Sequence, residues 1–223
     1  LDMRRAQATA TLRHADGVTR SQVHIRLALD ASVVLVQRAA DLPEPSLKPV
    51  TSWDYIREYL ASIGFTEPAP VHAGPMQGWI QTRPADPPLC VGWRSQGRHL
   101  WLGLHVDADA AAAQRGCAEL LDRAINSGAT RLVQTSEAWW ADYWQRVPKL
   151  HLPDDPGLAF LYHYGMYKFG GYATPTSVPG TLQGPWIEEY QMPPWSSDYH
   201  FNINVQMCHW PAYAGNLLEH LHP

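Results

Sequence analysis

Between Trp195 and Trp210 the chain sets His200, Asn202 and Asn204 at alternate positions, with Tyr199, Gln206 and His209 close by. Imidazole and amide groups bond to hydroxyls without a full charge, and aromatic planes stack on the C–H faces of sugar rings. That mixture suits a carbohydrate pocket. In an extended or loosely wound segment His200, Asn202 and Asn204 project together, while Phe201 and Ile203 anchor the other side. Three neutral polar groups on one face can recognise hydroxyls or hold a water. A single Asn at a helix start is also an ordinary cap; the triplet beside Trp195 is what points to function. Trp186, Trp195, Tyr199 and Trp210 are candidate sugar-stacking faces, although tryptophan also serves as plain core. Trp139, Trp140 and Trp144 are read as core or interdomain packing.

Glycoside hydrolysis generally needs two carboxyl groups, about 5 Å apart for retention or about 6.5–9.5 Å for inversion. Glu188 and Glu189 are adjacent, so on a strand they face opposite ways and make a poor acid/base pair. Asp198 is expected to hold its loop through backbone N–H groups. His200, Cys208, His209, Glu219, His220 and His222 cluster in sequence but lack metal-ligand spacing, so no metal is expected. There is no nucleophile elbow and no glycine-rich phosphate loop, and no cofactor is expected.

With 223 residues and a net charge of -4, the chain has no basic patch for nucleic acid. Its apolar runs fall well short of the roughly 20 residues of a membrane span. The start, Leu1-Asp2-Met3-Arg4-Arg5, has no signal core and reads as the interior of a longer protein or a processed end. Cys90, Cys117 and Cys208 are odd in number and far apart, and form no disulfide framework or metal knuckle. Nothing in the sequence sets the oligomeric state.

Residues 1 to 37 read as antiparallel strands. Asp16-Gly17 signals a hairpin, and Val23, Ile25 and Leu27 alternate with Gln22, His24 and Arg26 as a buried and a wet face. A short helix is expected over Trp53 to Ile63, capped by Ser52, with Tyr55, Ile56, Tyr59 and Leu60 on one face. Pro68 to Pro75 reads as loop. Three strands follow at Gly78 to Gln81, Leu89 to Arg94 and His99 to Val106. The period then turns helical: Ala108 to Asn126, Thr135 to Gln145, and a helix capped by Asp154 or Asp155 with Leu158, Leu161, Tyr162, Met166 and Phe169 on its apolar face. Residues 172 to 197 form a long loop of about 25 residues, a length often tied to function. A last helix covers Ile203 to Trp210 and breaks at Pro211. The reading is multidomain β plus α.

Three stretches then carry a resemblance. Thr181-Leu182-Gln183-Gly184-Pro185-Trp186 is followed by Trp195-Ser196-Ser197-Asp198-Tyr199-His200-Phe201-Asn202-Ile203-Asn204-Val205-Gln206-Met207-Cys208-His209-Trp210-Pro211-Ala212 and Asn216-Leu217-Leu218-Glu219. Together they resemble the signature of glycoside hydrolase family 95, the inverting α-L-fucosidases and their α-L-galactosidase-type relatives. More loosely, Leu1 to Ala6 resembles that family's N-terminal sandwich, and Ala138 to Trp144 its linker.

The resemblance implies part of an antiparallel β super-sandwich at 1–106, a helical linker at 107–153 and the start of an (α/α)6 barrel at 154–223. It implies a glycan substrate, an extracytoplasmic setting and a water held by paired asparagines, which match Asn202 and Asn204. His200 matches a histidine that contacts substrate. The aspartate that polarises one asparagine and the glutamate acid come later in the family and have no counterpart before Pro223, so an isolated chain of this length is expected to lack activity. A related barrel enzyme using another glycan or phosphorolysis, and a non-catalytic glycan-binding chain, stay as alternatives. Ile187-Glu188-Glu189 and Cys208-His209 depart from the family pattern near the pocket.

Overall fold

The computed structural model describes residues 1–49, 57–175, 177–182 and 194–222. The chain forms two compact units, Leu1–Ala138 and Trp139–Pro223.

The first unit is a seven-stranded antiparallel sheet in the order β1-β2-β3-β7-β6-β5-β4. Its strands are β1 (Ala8–Arg13), β2 (Arg20–Leu27), β3 (Val33–Arg38), β4 (Ala69–Ala73), β5 (Met76–Gln81), β6 (Leu89–Gln96) and β7 (His99–Val106). Asp16 and Gly17 do turn β1 into β2: the Asp16 carboxylate accepts from the Val18 and Thr19 N–H groups at 2.9 and 2.8 Å, and Gly17 takes φ 72°. β4 occupies a stretch that the sequence reads as loop. It is the last strand of the sheet, where Pro70 removes a donor that a central strand would need. Gly74, at φ 56°, opens the tight turn into β5. Of the expected helix over Trp53 to Ile63, α1 (Arg57–Ser62) is described and buries no residue; Ser52, Trp53, Tyr55 and Ile56 lie outside the described residues.

One face of the sheet packs against α2 (Ala110–Ser127). Val33, Leu35, Met76, Ile80, Cys90 and Trp101 meet Ala113, Cys117, Leu120 and Leu121 in one core. Asp109 caps α2, its carboxylate accepting from Ala112 N–H at 2.8 Å. Gly92 and Gly103, paired across β6 and β7, leave room for the helix: a methyl at Gly92 would lie 2.9 Å from Cys117 Sγ, and one at Gly103 3.1 Å from Leu121 Cγ. Gly128, at φ 87°, closes α2 by donating to the Ala124 carbonyl at 3.1 Å. It is the sole residue between α2 and α3 (Ala129–Arg146), so α3 starts six residues before the expected Thr135.

The polarity of β2 is the reverse of the expected one. Arg26, 5% exposed, faces the core side opposite Leu35, while Ile25 and Leu27 are exposed on the other face. The guanidinium is tolerated because it is paired. It donates twice to Gln7 Oε1, at 3.0 and 2.6 Å, and to Glu137 Oε1 at 2.8 Å. The opposite face stays apolar and open: Ile25 and Leu27 pair with Val36 and Val34, and Leu104 and Val106 are exposed there as well.

The second unit holds the end of α3, α4 (Pro156–Tyr172), a 3-10 turn at Pro194–Ser197, α5 (Asn204–His209), α6 (Pro211–Ala214) and a 3-10 turn at Leu218–Leu221. Asp155 caps α4, accepting from Leu158 N–H at 2.9 Å, with Pro156 in the first turn. Trp140, Tyr143, Val147, Met166, Phe169, Leu217 and His220 are buried. Trp139 stacks on Tyr143 at 5.4 Å, one helical turn on. Gly170 admits the Tyr143 ring, whose Cζ would lie 2.7 Å from an added methyl. Leu158 and Leu161, expected on α4's buried face, are exposed with Phe160, so apolar groups lie on several sides of this helix.

Candidate active site

The segment that carries the candidate residues folds as a turn, a short loop and a helix. Trp195 and Ser197 both take positive φ, 48° and 55°. Each such non-glycine residue costs on the order of 1–3 kcal/mol and needs its surroundings to hold it. Ser197 is buried, and its hydroxyl bonds to Thr181 Oγ1 at 2.8 Å. Asp198 N–H donates to the Trp195 carbonyl at 3.1 Å, and the Asp198 carbonyl accepts from Leu182 N–H at 3.1 Å. The main chain of Asp198 thus ties the loop. The Tyr199 hydroxyl adds a bond to the Pro179 carbonyl at 3.1 Å.

Residues 201–203 turn, and Asn204 opens α5. The segment is therefore not extended, and Phe201 and Ile203 do not anchor it: both are exposed. Gln206 Nε2 closes the turn on the Phe201 carbonyl at 2.6 Å, and Val205 N–H reaches the His200 carbonyl at 3.1 Å. Ile203 stands at the helix N-cap and makes no side-chain cap. Neither Asn202 nor Asn204 acts as that cap, and among the described residues neither amide has a hydrogen-bond partner. Asn202 is exposed and Asn204 half-buried. His200 is half-buried, and its Nε2 is enclosed with no hydrogen-bond partner among the described residues.

The aromatic candidates divide. Trp195 is 74% exposed beside the asparagines in sequence, and Tyr199 lies 6.4 Å from Phe201 with the rings near parallel. Trp210 is exposed at the junction of α5 and α6, about 9 Å along the helix axis from Asn204. Trp186, Glu188 and Glu189 lie outside the described residues. Trp139, Trp140 and Trp144 form the aromatic cluster around Tyr143 in the second unit.

Several supports carried no local signal in the sequence. The Tyr172 hydroxyl donates to the Cys208 carbonyl, and Cys208 Sγ donates to the Thr181 carbonyl at 3.4 Å, so the end of α4 holds both α5 and the 181 segment. His220 is buried among Tyr143, Phe169 and Trp139, with Nδ1 on the Ala173 carbonyl. Burial pushes its pKa down. Glu219 is paired with Arg146. Burial pushes its carboxyl up, but the hydrogen bond and charge of Arg146 outweigh this and leave it below the usual glutamate range. A carboxylate so held is poorly suited to be a general acid. Among the described residues no three His, Cys, Asp or Glu side chains gather where they could hold a metal ion. Nor is any described helix long and apolar enough to cross a membrane.

The model of the glycosyl hydrolase family 95 catalytic domain matches residues 122–223. Residues 122–223 are thus similar to the catalytic domain of glycoside hydrolase family 95. The candidate loop and α5 lie inside the family 95 segment. The chain is 46% identical over 72 residues to probable alpha-fucosidase A of Aspergillus niger, covering 32% of this chain and 9% of that protein. It is 37% identical over 76 residues to alpha-L-fucosidase 2 of Arabidopsis thaliana, covering 34% and 9%. Probable alpha-fucosidase A of Aspergillus oryzae shares 42% over 66 residues, 29% and 9%. The similar stretch is thus a small part of each relative's length.

Proposed function

We propose that the protein to which this family 95 segment belongs hydrolyses a terminal α-linked L-fucose, or a related L-sugar, with inversion at the anomeric carbon. The observation that carries the reading is the state of Asn202 and Asn204. Two amides, Asn202 in the turn before α5 and Asn204 at its first residue, have no partner among the described residues, after a loop held by the Thr181–Ser197, Leu182–Asp198 and Tyr199–Pro179 bonds. Unspent amides on a fixed backbone can orient a water, each offering a donor and an acceptor. His200 contacts the sugar, and Trp195, Tyr199, Trp210 and Trp186 supply stacking faces. The general acid and the aspartate that polarises the water come from chain beyond this segment. No metal or cofactor is assigned.

The domain reading follows the same proposal. Residues 1–106 are part of a β super-sandwich, which the open apolar face bearing Ile25, Leu27, Leu104 and Val106 supports: a second sheet would cover it. Residues 107–153 are a linker. Residues 154–223 begin an (α/α)6 barrel, supported by α4, whose exposed Leu158, Phe160 and Leu161 suit a helix enclosed by neighbours.

The test is a full-length protein assayed on an aryl α-L-fucoside, with the anomer of the released sugar followed by NMR. β-L-fucose should form first and mutarotate. Release of the α-anomer would overturn inversion. A sugar phosphate formed on adding inorganic phosphate would move the assignment to phosphorolysis, and no turnover across a panel of α-L-glycosides would leave a binding protein.

A further inference from the structure

Two cysteines far apart in the chain share one buried core inside the first unit. Cys90 is on β6 and Cys117 on α2, and both are fully buried. Cys117 Sγ stands over the paired glycines, where a methyl at Gly92 would come within 2.9 Å of it and one at Gly103 within 3.5 Å. Cys90 is two residues from Gly92 and shares its face of the sheet. Both side chains belong to one buried core cluster, and the Cys117 thiol donates to the Gly103 carbonyl at 3.5 Å. Because Gly92 and Gly103 lack side chains, the helix can approach the sheet closely, as a short cross-link requires (Cα atoms about 4.4–6.8 Å apart).

We propose that Cys90 and Cys117 are a disulfide site that ties α2 to the sheet when the chain folds under oxidising conditions. The oxidant is a small disulfide such as oxidised glutathione. One cysteine thiolate attacks it, forming a mixed disulfide and releasing one glutathione thiolate. The second cysteine thiolate then attacks the mixed disulfide at the protein sulfur and releases the other. Two protein thiols are oxidised, one glutathione disulfide is reduced to two thiols, and the protons of the protein thiols pass to these through solvent. Because both sulfurs are buried, the exchange runs while the unit is folding or locally open. Cys208 takes no part; it is half-buried and bonded to the Thr181 carbonyl.

The chain is refolded from denaturant in glutathione buffers from fully reduced to mostly oxidised, trapped in acid, alkylated in denaturant and mapped by mass spectrometry. The Cys90 and Cys117 peptides should emerge joined at the oxidised end, with Cys208 alkylated or carrying one glutathione. The oxidised protein should melt ~5 °C above the reduced one. The Cys208→Ala variant should keep both the cross-link and the shift; Cys117→Ala should lose both. Both thiols alkylated in folded protein across the whole series, or a pairing that includes Cys208, would overturn the proposal. The wild-type and Cys208→Ala maps decide it even if Cys117→Ala fails to fold.

Discussion

Arg26 Nη2 donates to Glu137 Oε1 at 2.8 Å, joining β2 to α3 within the first unit. The guanidinium is almost wholly buried while the carboxylate keeps some water contact. Losing the carboxylate therefore strands the arginine. Glu137→Ala should cost ~1–3 kcal/mol in urea unfolding, and Glu137→Gln, which keeps an acceptor, should cost less. Equal losses in the two variants would show that the bond to Arg26 carries no weight.

Tyr143 and Gly170 test the second core. The buried Tyr143 hydroxyl donates to the Met166 carbonyl at 2.6 Å, so Tyr143→Phe should lower stability by ~0.5–1.5 kcal/mol by removing that bond. Gly170→Ala places a methyl against the Tyr143 ring and should cost ~1–3 kcal/mol through overpacking. Thermal midpoints read both, and an unchanged midpoint for Gly170→Ala would mean that the ring has room to move.

Acid should weaken the second unit through His220. Burial lowers its pKa against the opposing effects of the Ala173 carbonyl and Glu219. A base with a lowered folded pKa binds its proton more readily when unfolded. Its stabilising contribution is therefore complete above about pH 6.5 and is lost as pH falls from there through the folded pKa. The neighbouring Glu219 and Arg146 stay charged through most of that range; Glu219 loses its own contribution at lower pH. Melting midpoints from pH 8 to 5 should fall in wild type and flatten in His220→Phe. An equally steep fall in the variant would place the acid sensitivity elsewhere.

The asparagines should separate chemistry from binding. In full-length protein, Asn202→Ala and Asn204→Ala should each lower kcat by ~10²-fold or more while KM changes modestly. Wild-type rates in both variants would remove the water-holding role.

Much of the sheet was legible because its strands alternate, and the start of α4 because Asp155 and Pro156 are residues of known capping chemistry. β4 was not, since Pro70 argues against any strand and only the sheet edge excuses it. Nor was the polarity of β2. An arginine is buried there because a carboxylate arrives from Glu137, and no local pattern records that partner. At the candidate site the residue types were readable but their directions were not. Alternation implied an extended or loosely wound strip at 200–204, whereas the chain turns at 201–203; the helix expected over Ile203 to Trp210 is α5, Asn204–His209. The closeness of Cys90 and Cys117 likewise appears only once α2 is laid across Gly92 and Gly103.

The single residue between α2 and α3 acts as a phase setter. With Gly128 alone between two 18-residue helices, the rotation of the second about its own axis is tied to the end of the first. One inserted residue, continuing the helical geometry, would turn α3 by about 100° and advance it about 1.5 Å. Glu137 would swing away from Arg26, leaving a cation buried in the sheet face. Length at this joint is therefore under tighter constraint than side-chain identity at most surface positions around it.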